Sequence, residues 1–327
     1  MKNFKLLMFD LFFVISAIIG VGFATGKEIA HFFLSGHYLI LAVGVFFVMF
    51  TTLTWYILYI KHKHKLNDLT ELNKFAFGKY YETSNIVLIV LFIVTNSAML
   101  AGCDNLVKNY LNIELPIISL FLSCVTFFIA LGGVNRIKGI ANIVMPALIL
   151  VIIINACLNL KSSTISGNMA MDIVYPIIFC AENFITLISV LIATKSRPKT
   201  LSFTSGIIIS IVILLSAFAI GNLNADMPML TLSKNGGVVF FSIYLLGVIF
   251  ALFTTLQIST YNCLHIANKN PRQKVFTLLI ILLVSQIIAY LGFNFIVQYL
   301  YSAIGILGAV YLVVLITNLI VADKKYK

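Results

Sequence analysis

The chain has 327 residues and a formal net charge of +11, with 61% hydrophobic residues, only 10% charged residues and a mean hydropathy of +1.06. So much apolar side chain excludes a water-soluble globule of this length and implies a polytopic membrane protein. The positive charge invites a nucleic-acid reading, which the placement of the basic residues along the chain argues against.

A membrane-crossing helix needs about 20 apolar residues. The first span is predicted over 5–34, and within it Gly20, Gly22 and Gly26 fall inside seven positions, followed at once by Lys27 and Glu28. Each glycine lowers helix propensity by about 1 kcal/mol relative to alanine. Opened backbone survives in lipid only where protein encloses it or where it lines a wet cavity. The expected outcome is a helix broken near mid-bilayer, its freed amides and carbonyls facing a ligand. The alternative is an unbroken helix packed closely along a glycine face.

The second span covers 38–60 and ends in Lys61-His-Lys-His-Lys65, and a short surface helix is expected within 67–82. Further spans follow at 84–106, 115–133 and 138–160, then a polar link from Lys161 to Asn168. Spans at 171–194, 200–222 and 238–266 come next, with a longer connection from Asn222 to Gly237. Val275 to Ala322 is 48 positions without a charge, enough for two helices turning at Gly292-Phe-Asn294. The expected fold is therefore an all-α polytopic membrane protein of ten transmembrane helices in one transmembrane domain: five over 1–160, five over 168–322, and a tail at 323–327.

With the N-terminus cytoplasmic, 18 of the 22 lysines and arginines fall on the inner side, leaving only Lys27, Lys108, Lys161 and Lys234 elsewhere. That asymmetry places both termini in the cytoplasm and explains the positive charge as topogenic. The five cysteines lie in or beside apolar segments without metal-type spacing and are expected to pack as small apolar residues.

Five spans per half is an odd number, so the second half enters from the opposite side, and an inverted repeat would place a second broken helix at span six. That span reads Asp172-Ile-Val-Tyr-Pro-Ile-Ile-Phe-Cys-Ala-Glu-Asn-Phe184, with Pro176 as the expected breaker. Glu182 and Asn183 then lie near mid-span, where a carboxylate is costly and commonly functional. The alternative is a proline kink with Glu182 satisfied by a neighbouring helix.

Gly20-Val-Gly-Phe-Ala-Thr-Gly-Lys-Glu28 followed by Phe32-Phe33 resembles the signature of YkvI-type membrane proteins, as do the length, the ten-span pattern and Met-Pro-Met-Leu at 227–230. Two departures are Lys27, where the pattern has Gln, and Ala-Glu-Asn at 181–183 in place of a tyrosine–asparagine pair. The resemblance implies the amino acid–polyamine–organocation superfamily, with a LeuT-type five-plus-five inverted repeat whose helices 1 and 6 are broken. It implies a secondary permease in a bacterial cell membrane, moving a small-molecule solute by alternating access.

On that fold, an amino-acid carboxylate suits the amide-bearing end of the outer half-helix, with Gly20, Gly22, Phe23, Ala24 and Thr25 as candidate contacts. The ammonium would face carbonyls released from Phe179 to Ala181, with Glu182 as counter-ion and Asn183 beside it. Ala251, Thr254 and Thr255 share one face of span eight. In LeuT-type sodium transporters such a trio binds sodium together with first-helix carbonyls, here Ser16 and Ile19, so Na+ is the candidate coupling ion, with a proton as the alternative. Without the fold, the threonines read as bonded back to their own helix. Lys27 and Glu28 are candidate gate residues near the outer mouth, and Asp10 is a candidate partner for a cytoplasmic lysine. No motif marks an enzyme or an organic cofactor. A ligand-binding receptor on the same fold, as in spore germinant receptors, is the alternative to transport.

Overall fold

The computed structural model describes residues 2–111, 117–160, 169–267 and 273–325. The polar link expected at 161–168 lies outside the described residues. All regular structure among the described residues is helical, as expected where long runs of Leu, Ile, Val and Phe must satisfy their own backbone in lipid. The first predicted span is divided into α1 (Lys2–Ile18), α2 (Val21–Thr25) and α3 (Lys27–Phe33). Then come α4 (Leu39–His64), α5 (Leu69–Phe77), α6 (Tyr81–Leu111), α7 (Ile117–Leu131) and α8 (Val134–Leu158). The second half contains α9 (Met171–Ala193), α10 (Pro198–Ile220), the short α11 (Pro228–Ser233) and α12 (Gly237–Ala267). It ends with α13 (Lys274–Ala289), α14 (Phe293–Phe295), a π-helical turn at Ile296–Tyr301 and α15 (Ser302–Lys325).

Seven of the described helices are long and apolar enough to cross a bilayer, and α7 and α13 are shorter apolar helices. The chain is a multi-pass membrane protein. The turn expected over Gly292-Phe-Asn294 ends at Gly292, with Phe293–Phe295 already helical, and Gly292 adopts φ 89°, a left-handed conformation that L side chains avoid.

The chain forms two compact units, each drawing on both halves of the sequence. The first comprises Met1–Tyr56, Ile140–Cys180 and Lys195–Ala251. Its core is aromatic: Phe13, Phe23, Phe33, Phe46, Phe50 and Phe179 are all buried. Here α10 packs against α1, α3 and α11.

The second unit comprises Ile57–Gly139, Ala181–Thr194 and Leu252–Lys327, with α6 packed on α5, α7 and α13. Its apolar helices are pinned by a few buried polar pairs, which are costly to leave unmade in lipid. Gln286 donates to Ser119 Oγ at 3.1 Å and accepts from Ser123 Oγ at 3.3 Å. Gln257 donates to Thr126 Oγ1 at 3.0 Å, and Ser259 donates to Asn96. The predicted surface helix is α5, started by the Asp68 side chain, which accepts the Glu71 amide at 2.7 Å. It does more than cover the surface: Asn73 is buried, donates to Asn85 and accepts the Tyr311 hydroxyl at 2.8 Å. Where α4 ends, Asp323 accepts from Lys63 at 2.5 Å and lies 2.7 Å from the His64 imidazole.

Candidate functional site at the divided first helix

The break begins where glycine removes side-chain packing. The helical ladder persists to Ile19, whose amide donates to the Ile15 carbonyl at 2.9 Å. The next amide, on Gly20, would reach the Ser16 carbonyl in a regular helix. Instead it turns onto the Ile18 carbonyl at 3.0 Å, with Gly20 extended at φ −92° and ψ −165°. The single turn of α2 follows, wholly buried and tied by Thr25 Oγ1 donating to the Val21 carbonyl at 2.8 Å. Gly26 then takes φ 81°, capping the end of α2 and the start of α3.

Two glycines here also yield space. A Cβ on Gly22 would overlap the carboxylate of Glu28, which folds back from α3 onto the broken segment. A Cβ on Gly26 would stand 2.6 Å from Met229 Cγ and 3.0 Å from both the Met229 amide nitrogen and Ile220 Cδ1. Thus α11 lies directly on the Gly26 turn. Lys27 and Glu28, the expected gate residues, are half-buried.

Four polar residues that sequence reasoning passed over fix this arrangement. Tyr244, fully buried on α12, donates its hydroxyl to the Ala24 carbonyl at 2.7 Å. Asn155 on α8 donates to the Met229 carbonyl at 2.8 Å, and Asn235 donates to Asn159 Oδ1 at 2.7 Å. Asn159 in turn donates to the Leu232 carbonyl at 3.4 Å. The available signal was spacing: Asn155 and Asn159 are four apart, hence on one face at the end of the span expected over 138–160.

The aromatic residues pack in layers around Phe179, whose ring centroid lies 5.3 to 6.5 Å from those of Phe23, Phe32, Phe33 and Phe46. His31 stacks on Tyr175 at 5.4 Å. Phe23 and Phe179, both predicted to contact substrate, are thereby brought together in the first unit.

The expectation for span six needs correction. Helix α9 is continuous from Met171 to Ala193 with Pro176 inside it, so the carbonyls from Phe179 to Ala181 are not released by a break. Pro176 is the sixth residue of the helix, where its missing N–H deprives only the Asp172 carbonyl near the start. No glycine follows it in α9 to open the chain further. Ala181 is buried, while Glu182 and Asn183 are half-buried on the part of α9 that belongs to the second unit. Of the candidate sodium ligands, Ser16, Ile19 and Ala251 belong to the first unit and Thr254 and Thr255 to the second, all five buried. The Ser16 hydroxyl is engaged with the Phe13 carbonyl at 2.7 Å, leaving the Ser16 carbonyl as the atom without its regular helical donor. Among the described residues no group of three or more His, Cys, Asp or Glu side chains is placed to hold a metal ion.

No protein-family model matches the chain. One relative is the uncharacterized membrane protein YkvI of Bacillus subtilis (strain 168), 30% identical over 144 residues, which are 42% of this chain and 41% of that protein. The match thus spans about two fifths of the relative's length. In three dimensions the chain is similar to a Na+-coupled sialic acid symporter solved in a substrate-bound outward-open state, with TM-score 0.70 and 12% identity over 96% of this chain and 78% of the other. It is also similar to Mhp1, a nucleobase-cation-symport-1 family transporter, with TM-score 0.56 and 12% identity over 86% and 70%. At this identity the likeness establishes a shared fold.

Proposed function

We propose that the chain is a secondary active transporter, a ten-span permease of five-plus-five inverted repeats that moves an amino acid or small amine-containing solute by alternating access. The observation that carries this reading is the buried, glycine-opened break between α1 and α3. A membrane protein gives up helix continuity at such a place only where something other than its own helix uses the backbone. The substrate carboxylate sits against the broken segment, with Gly20, Gly22, Phe23, Ala24 and Thr25 as its contacts and Phe179 shaping the apolar side. Glu182 acts as counter-ion to the substrate ammonium, with Asn183 as its polar neighbour. Coupling is to sodium or protons, with the Ser16 and Ile19 carbonyls, Ala251 and the Thr254 and Thr255 hydroxyls as sodium ligands. Lys27 and Glu28 gate the outer mouth, and the chain lies in the cell membrane with both termini cytoplasmic. The superfamily is that of the amino acid–polyamine–organocation carriers.

The fold-mate that carries sialic acid, a carboxylate bearer, and the one coupled to Na+ by its description are the same protein, which supports testing both chemistries together. The experiment is thermal stabilisation of the purified protein by amino acids, amines and sialic acid, with and without sodium, since a ligand that binds the native state raises its stability by mass action. A sodium-enhanced shift is expected, weakened when Thr254→Ala and Thr255→Ala are combined. Glu182→Gln should weaken binding of amino solutes. Sodium dependence unchanged by the double threonine variant would contradict the ion site. Equal affinity in Glu182→Gln across pH would make that carboxylate structural.

A further inference from the structure

Two buried aspartates in the first unit make contacts of the same kind at separate places. Asp10 of α1 is fully buried, and its Oδ2 accepts the backbone amides of Lys195 at 2.8 Å and Ser196 at 2.7 Å, together with the Ser196 hydroxyl at 2.7 Å. Asp172 of α9 is 1% exposed, and its Oδ2 accepts the backbone amides of His37 at 3.0 Å and Tyr38 at 2.9 Å. In each case two consecutive amides converge on one carboxylate oxygen just ahead of a long helix, α10 in the first contact and α4 in the second.

The partners are exchanged between the halves of the chain. The aspartate on the leading helix of the first half holds the turn before the second long helix of the second half. The aspartate on the leading helix of the second half holds the turn before the second long helix of the first. Asp10 precedes residue 37 by 27 positions and Asp172 precedes residue 195 by 23; of the surplus of four, the divided first helix adds two over the unbroken α9 and the longer connection after Phe33 adds the other two. Ten positions beyond each aspartate lie Gly20, at the break, and Glu182, the mid-helix carboxylate. Because α9 runs unbroken from Met171 to Ala193, the two contacts sit at opposite ends of it, about 33 Å apart at 1.5 Å per residue. That is the thickness of a bilayer's hydrocarbon core.

We propose that Asp10 and Asp172 are equivalent residues of an inverted repeat, forming two end-specific clasps that secure the two membrane faces of the first unit independently. Each clasp opens only at its own end. Hydrogen bonds from backbone amides to an ionised carboxylate are about twice as strong as neutral ones, and breaking one in a buried place strands the charge. Gly36 fits the same design, since a Cβ there would overlap the Asp172 carboxylate. The clasp is thus packed as well as bonded. The inference goes beyond transport and holds equally for a receptor, and its readout needs no ligand.

The test is amide hydrogen exchange on the full chain in lipid nanodiscs, comparing wild type with Asp10→Asn and Asp172→Asn. Asp10→Asn should speed exchange at Lys195 and Ser196 about tenfold or more while leaving His37 and Tyr38 unchanged, and Asp172→Asn should do the reverse. If one of these variants does not fold, Ser196→Ala, which keeps both amide bonds and removes the hydroxyl, should speed exchange at 195–196 by a smaller factor and leave 37–38 untouched. Equal acceleration at both places by any single substitution would overturn the proposal, because the ends would then be held by one global closure. Unchanged exchange at both places in the aspartate variants would overturn it too.

Discussion

The leading helices of the two halves were both expected to break, and only one does. In the first, three glycines within seven positions let the ladder stop at Ile19, turn at Gly20 and reverse hand at Gly26. In the second, Pro176 is absorbed inside a continuous α9. The two residues weaken a helix by different means. Proline removes one donor and crowds one carbonyl, and at the sixth residue of α9 both effects are confined to the first turn. Glycine removes side chains on several faces at once, so a carboxylate and a neighbouring helix can occupy the vacated space. Around Gly22 and Gly26 that space is taken by Glu28 and by Met229 of α11.

Substitutions can sharpen or break this contrast. The largest effect is expected from Gly26→Ala. A left-handed alanine costs about 1–2 kcal/mol, and forcing a methyl against the Met229 backbone adds about 1–3 kcal/mol, so melting of the purified protein should fall steeply. An unchanged melting temperature would mean that the Gly26 turn is not a feature of the folded state. Gly22→Ala should cost about 1–2 kcal/mol, because the new methyl must displace the Glu28 carboxylate. Most of that loss should return when Glu28→Ala is added, a coupling that a double-mutant cycle measures and that would vanish if the two residues do not touch. The smallest effect belongs to α9: Pro176→Ala should change stability by less than about 1 kcal/mol. A loss of several kcal/mol there would show that the proline holds a needed bend.

Much of the architecture was legible in the sequence because lipid imposes a plain rule on it. Uncharged runs of 20 or so residues must be helices, and the runs beginning near Leu39, Ile117, Pro198 and Gly237 begin as helices within a few residues of the expected places. The division of the first span was legible because three glycines and a charge pair have few other uses inside a membrane. Pro176 misled although its span begins at the expected residue 171, because a proline at the sixth helical position costs only the Asp172 carbonyl its donor and does not by itself open the helix. The contacts that hold the site were not legible. Tyr244 reaches Ala24 across 220 positions and Asn155 reaches Met229 across 74, and single buried polar residues carry no local sign of their partners. Asp10 reads from sequence as the partner of a cytoplasmic lysine, whereas the contacts that hold it are the backbone amides of Lys195 and Ser196 and the Ser196 hydroxyl, and almost any residue type supplies an amide.

The central claim is that the buried break in the first helix serves transport. It is tested most directly by uptake of radiolabelled amino acids into proteoliposomes under an imposed inward sodium or proton gradient. The account predicts accumulation above that of protein-free vesicles, lost when the gradient is collapsed by an ionophore and reduced in Glu182→Gln. Binding of a solute to the purified protein without any gradient-driven accumulation would contradict it and leave a receptor in its place.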